Sequence, residues 1–62
     1  MDRIAIHVEL PIDEAWALAQ FLKRLGHAEY RALAKNNGEA DHMRNASYAL
    51  RIALAQQGVT PR

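Results

Sequence analysis

The spacing of apolar positions along this chain lengthens at Pro11. In residues 3–10, Ile4, Ile6, Val8 and Leu10 alternate with Arg3, Ala5, His7 and Glu9. A period of two puts every large apolar side chain on one face of an extended segment, so this stretch predicts a β-strand. Beyond Pro11, Ala15, Leu18, Leu22 and Leu25 recur at spacings of three and four, with Phe21 beside them. That stripe predicts a helix over 12–25. Pro11 suits the entry, where a missing N–H costs nothing, and Asp13 and Glu14 complement the dipole of the first turn. Gly26 reads as a left-handed stop.

A short second helix is predicted over 28–35, with Tyr30, Leu33 and Ala34 turned inward. Asn36-Asn37-Gly38 is the clearest turn signal, and Asn37 is the candidate N-cap of a third helix. That helix is predicted over 39–57. Met43, Ala46, Leu50, Ala53 and Leu54 form one face, and Tyr48, Ile52 and Ala55 form a second apolar strip beside it. Gly58 ends this helix, Val59 is placed to fold back on Leu54, and Pro61 blocks continuation. The combined apolar arc is wider than one neighbouring helix can cover, which points to another chain.

The expected fold is therefore mostly α: one N-terminal β-strand followed by two or three helices, in a single domain over 1–62. No later segment reads as a second strand. A lone strand leaves a row of N–H and C=O groups open. Three closures can complete it. In a homodimer, two copies of the strand pair antiparallel through a face of Ile4, Ile6 and Val8. By β-augmentation, the strand joins a partner's sheet. Alternatively, a strand-like segment lies across the helices without a ladder.

Composition sharpens this picture. A chain of 62 residues is one domain at most, buries only about 60% of its unfolded surface and is marginal as a monomer. It has no cysteine, so disulfides and thiolate metal sites are excluded. No signal peptide and no apolar run near the ~20 residues of a membrane span is visible, so a complete, soluble cytoplasmic protein is expected. The net charge of +1 is unevenly spread, with no acidic side chain after Asp41. The C-terminal helix is thus mildly basic and suits an acidic partner.

Candidate chemistry is sparse. His7, His27 and His42 show no ligand spacing on one helix, so neither a metal nor another cofactor is expected. Ser47 sits in mid-helix and Thr60 in the tail, and the carboxylates are explained by helix starts. No catalytic residue is assigned, and a non-enzyme is expected. Arg44, Tyr48 and Arg51 share one face of the third helix at i, i+4 and i+7. They read either as a solvated face or as a contact stripe, because Arg and Tyr are favoured at interfaces. Trp16 reads as a core or dimer-packing residue, or as an interface anchor.

Two resemblances add expectations. The strand, the Leu10-Pro11 step and the helix after it resemble the opening of ribbon-helix-helix repressors, over residues 3–25. That resemblance implies a dimeric ribbon in the DNA major groove, with Arg3, Ala5 and His7 at base edges. Glu9 and a dimer charge of only +2 stand against strong phosphate binding. "EAWALAQFLKRLG" and "EADHMRNASYALRIALAQQGVTPR" look like small helical proteins of phages and other mobile elements. That resemblance implies a surface-occluding factor such as an anti-CRISPR protein. The functional expectation is a non-enzymatic dimeric inhibitor of a host protein complex, touching it through Arg44, Tyr48, Arg51 and Trp16. The alternative is a DNA-binding transcriptional regulator.

Overall fold

The structure is a computed structural model, and it describes residues 2–62. Three helices follow an N-terminal arm, residues 2–10, that holds no regular secondary structure: α1 (Ile12–Arg24), α2 (His27–Leu33) and α3 (Asn37–Gln56). Both α1 and α2 pack on α3, and they do not pack on each other. The long helix is therefore the spine of the fold.

The predicted strand is absent. Among the described residues none is in a β-strand, and residues 2–10 make no main-chain hydrogen bond. This corrects the expected fold class, in which Ile4, Ile6 and Val8 formed a strand paired across a homodimer: the chain itself holds no strand among the described residues. The physical reason is that a ladder needs a second extended backbone. Every other long segment here is helical, with its N–H and C=O groups already used within its own turns. Period two was legible, but it specifies a conformation and not a pairing. The arm does not lie across the helices either: Ile4 is 87% and Ile6 85% exposed.

Local chemistry explains the helix ends. Pro11 (φ −53°, ψ 148°) enters α1, and its carbonyl accepts from the Ala15 N–H at 3.0 Å. Asp13 and Glu14 lie in the first turn of α1, and Lys23 and Arg24 in the last, both in the favourable dipole sense. Gly26 is not the left-handed stop that its position suggested. Its φ of −110° is extended, and it opens α2 by donating its N–H to the Glu29 carboxylate at 2.8 Å. The cap of α3 also moves one residue, from Asn37 to Asn36. The Asn36 Oδ1 accepts from the Glu39 N–H at 2.8 Å, and the Glu39 carboxylate accepts from the Lys35 N–H at 3.0 Å. The reciprocal arrangement satisfies two free donors and lets the Asn-Asn-Gly run start a helix where a turn was expected. At the other end Gly58 takes φ +86°, the left-handed region that glycine enters without strain. The Val59 N–H then reaches back to the Leu54 carbonyl at 3.0 Å and the Gly58 N–H to that of Ala55 at 2.9 Å, a Schellman closure.

The core is small. Ala19 and Leu22 from α1, Tyr30 from α2 and Ala40 from α3 are its only buried members among the described residues. Phe21, Leu33, Ala46 and Ala53, all assigned inward by periodicity, face solvent. The accessible surface is 5394 Å² for a 7.0 kDa chain. A folded monomer of that mass ordinarily exposes about 4,000 Å². The radius of gyration, 12.6 Å, likewise exceeds the ~10.6 Å of a compact domain of this length.

These contacts can be tested through stability. Asn36→Ala removes the α3 cap and should lower unfolding free energy by about 1 kcal/mol, read from the urea midpoint. The Tyr30 hydroxyl is buried without a hydrogen-bond partner. Tyr30→Phe should therefore raise stability by about 1 kcal/mol, since it deletes a polar group that folding strips of water. A lowered midpoint would mean that the hydroxyl is paired in solution with a group outside this chain.

Candidate apolar groove on the third helix

An open hollow of about 380 Å³ lies where α1, the second half of α3 and the C-terminal tail meet. Its walls are Ala19, Tyr48, Arg51, Ile52, Ala55, Val59, Thr60 and Pro61. Each wall has a local cause. Ala19 is the small residue through which α1 approaches α3. Tyr48, Ile52 and Ala55 lie on one side of α3, next to the face that meets α1. Val59 and Pro61 are brought back by the left-handed Gly58 turn. The lining is mostly apolar, and its charge comes from Arg51. From Arg44 to Arg62 the chain carries three arginines and no acid, so the groove has a positive rim.

The sequence-predicted contact residues are only partly gathered here. Tyr48 and Arg51 line the groove. Arg44 is one turn away on the same helix, where its guanidinium sits 3.5 Å from the Asp41 carboxylate, an i,i+3 pair that is partly exposed. Such a pair contributes at most about 1 kcal/mol and leaves the arginine open to a better partner. Trp16 is 39% exposed on α1 and is not part of the groove wall. It is therefore not a core residue of the single chain.

The arm residues are separate from this site. Ile4, Ile6 and Val8 are exposed and touch no groove wall. Arg3, Ala5 and His7 are also exposed, with the His7 Nε2 3.9 Å from the Glu9 carboxylate. The DNA-reading assignment of Arg3, Ala5 and His7 required a two-stranded ribbon to hold them at fixed spacing, and the strand for that ribbon is not formed.

A second hollow, of about 230 Å³, lies between His27, Arg31, Asn37, Ala40 and Asp41. Among the described residues there is no cluster of three or more His, Cys, Asp or Glu able to hold a metal ion. No helix among them is long and apolar enough to cross a membrane.

Comparison with known proteins places the chain in a family. The match covers residues 1–62. The chain belongs to DUF7706, a family of unknown function. No curated protein and no solved structure matches it. For this DUF7706 member, the groove itself is the guide to chemistry.

Sequence periodicity found part of that groove, since Tyr48, Ile52 and Ala55 stood out as a second apolar strip. It missed Ala19, Thr60 and Pro61 as wall residues. The signal that could have found the tail was Gly58-Val59 followed by Pro61, a left-handed turn that must send the chain back along α3. The distinction between groove and core is testable. Leu22→Ala should cost about 2–5 kcal/mol and largely unfold so small a chain. Ile52→Ala, at an exposed wall position, should shift the urea midpoint of dilute protein by less than about 0.5 kcal/mol.

Proposed function

We propose that this chain works by binding a protein partner and not by catalysis, with the groove and the arginine rim of α3 as its contact surface. The carrying observation is the groove: an open, apolar hollow beside Tyr48 and Arg51, on a helix half with no acidic side chain. Its shape suits an extended segment with apolar residues at alternate positions and acidic residues at its edges. Apolar side chains enter the hollow and leave water, while carboxylates at the rim meet Arg51 and Arg44. That division into an apolar centre and a polar rim is the usual anatomy of a protein interface, with tyrosine and arginine favoured in it. The charges contribute mainly to encounter rate and orientation.

On this reading the protein acts by occupying a partner's surface. The resemblance to small mobile-element proteins suggests that the occupied surface belongs to a host assembly, such as a CRISPR surveillance complex.

The test compares tagged wild-type protein with Arg44→Glu/Arg51→Glu in affinity purification from the native cell. Both charges lie at least partly in solvent, so the far-UV spectrum of the variant should match wild type. Proteins recovered with wild type should fall by about tenfold or more with the variant, and the strongest should bind purified wild-type protein directly. Equal recovery by the two proteins would rule the α3 surface out.

A further inference from the structure

The groove calls for an extended segment with alternating apolar residues and acidic edges, and such a segment exists on the chain itself. Resting on the binding reading above, we infer that residues 2–10 of a second copy fill the groove, so that two chains exchange arms and the arm competes with any other ligand of that site.

Four observations lead here. The first is dimensional. Drawn out in a groove, the arm would place Ile4, Ile6 and Val8 on one face over about 13 Å. The α3 wall from Tyr48 to Ala55 is about 10 Å long, and the returning Val59–Pro61 tail extends it. Three alternate side chains therefore match one groove length.

The second is charge. The arm carries Asp2 and Glu9 near its two ends against one arginine, Arg3, and so is acidic by one charge. The groove carries Arg51 on its wall and Arg62 next to Pro61, with no acidic side chain nearby in sequence. Among the described residues, the ring nitrogen nearest Glu9 within its own chain belongs to the exposed His7, at 3.9 Å.

The third is area. The chain exposes 5394 Å², roughly 1,300 Å² more than a folded monomer of its mass. Two chains burying that excess reciprocally would hide on the order of 2,600 Å², within the range of obligate homodimers. A small contact with an occasional partner would leave most of it wet.

The fourth is why the arm does not fill its own groove. Leu10 precedes a proline and is confined to extended backbone, and the proline ring fixes the next φ at −53°. Pro11 itself continues extended at ψ 148°, and the arm leaves its own groove unfilled, with Ile4, Ile6 and Val8 in solvent. A symmetric exchange lets each copy supply what the other lacks. The backbone of the seated arm keeps one edge toward water, so no strand ladder is required.

The experiment uses the full chain. Sedimentation equilibrium should show wild type as a dimer in the micromolar range. Ile6→Asp on the arm and Ile52→Asp on the groove wall should each weaken dimerisation at least about tenfold while keeping the helical far-UV spectrum. Both side chains are exposed in the single chain, so neither change strikes the core. A labelled peptide of residues 2–10 should then bind Ile6→Asp, whose groove is vacant, and should fail to bind Ile52→Asp.

A wild-type protein that remains a single copy at high micromolar concentration overturns the exchange. So does a dimer that survives both substitutions, because it uses another surface. These failures are separable from failure of the binding reading. Ile6→Asp leaves the groove and rim intact, so it should recover a cellular partner at least as well as wild type. If Ile6→Asp recovers the partner while wild type proves monomeric, the groove stands and the arm exchange falls.

Discussion

The packing of two short helices on one long one is the constraint on which the rest of the structure depends. With 20 residues, α3 is long enough to carry both neighbours along its length. Its core-facing contacts involve small residues, Ala40 on its own surface and Ala19 on α1, together with Leu22 and Tyr30. Small side chains let backbones approach closely, but they bury little area each. The result, among the described residues, is a fold held by four buried residues, none of them a fully buried large side chain. Because α1 and α2 touch α3 and not each other, much of the spine stays open to water.

That economy of core has a direct consequence at the surface. Ile12, Phe21, Leu33, Tyr48 and Ile52 are all more than half exposed. Scattered apolar exposure is ordinary, but here the exposed residues of α3 adjoin a concave hollow walled by the returning tail. The cap at Gly58 matters for the same reason. Without its positive φ the tail would run on past α3, and Tyr48, Ile52 and Ala55 would form a flat strip and not a groove wall. A single left-handed glycine thus links backbone chemistry to the shape of the proposed binding surface.

The arm shows the limit of local pattern. Alternation in residues 3–10 places the large apolar residues at every second position, but it says nothing about whether a hydrogen-bonding partner is within reach. In a chain whose remaining long segments are helical, no such edge exists within the chain itself. Membership of DUF7706 supplies no activity that would explain the arm. The physical description of arm and groove as two unsatisfied surfaces of similar length is what connects them.

The sequence by itself determined the helical course of the chain, because the three-and-four spacing of apolar residues, the proline entry and the glycine exit act within a few residues of where they stand. It also determined that α3 carries two apolar strips and no acid beyond Asp41, and that the arm is amphipathic. Caps were legible to within one residue. Asn36 and not Asn37 was chosen because only Asn36 places its carbonyl oxygen against the Glu39 N–H while Glu39 reaches back to Lys35. Tertiary structure alone decided that no strand forms, that Phe21 and Trp16 lie on the flanks of α1 and not in the core, and that Ala19 and the tail enclose a groove with Tyr48 and Arg51. Those outcomes depend on which helices touch and at what angle, and contacts between residues distant in sequence leave no periodic trace within any one segment.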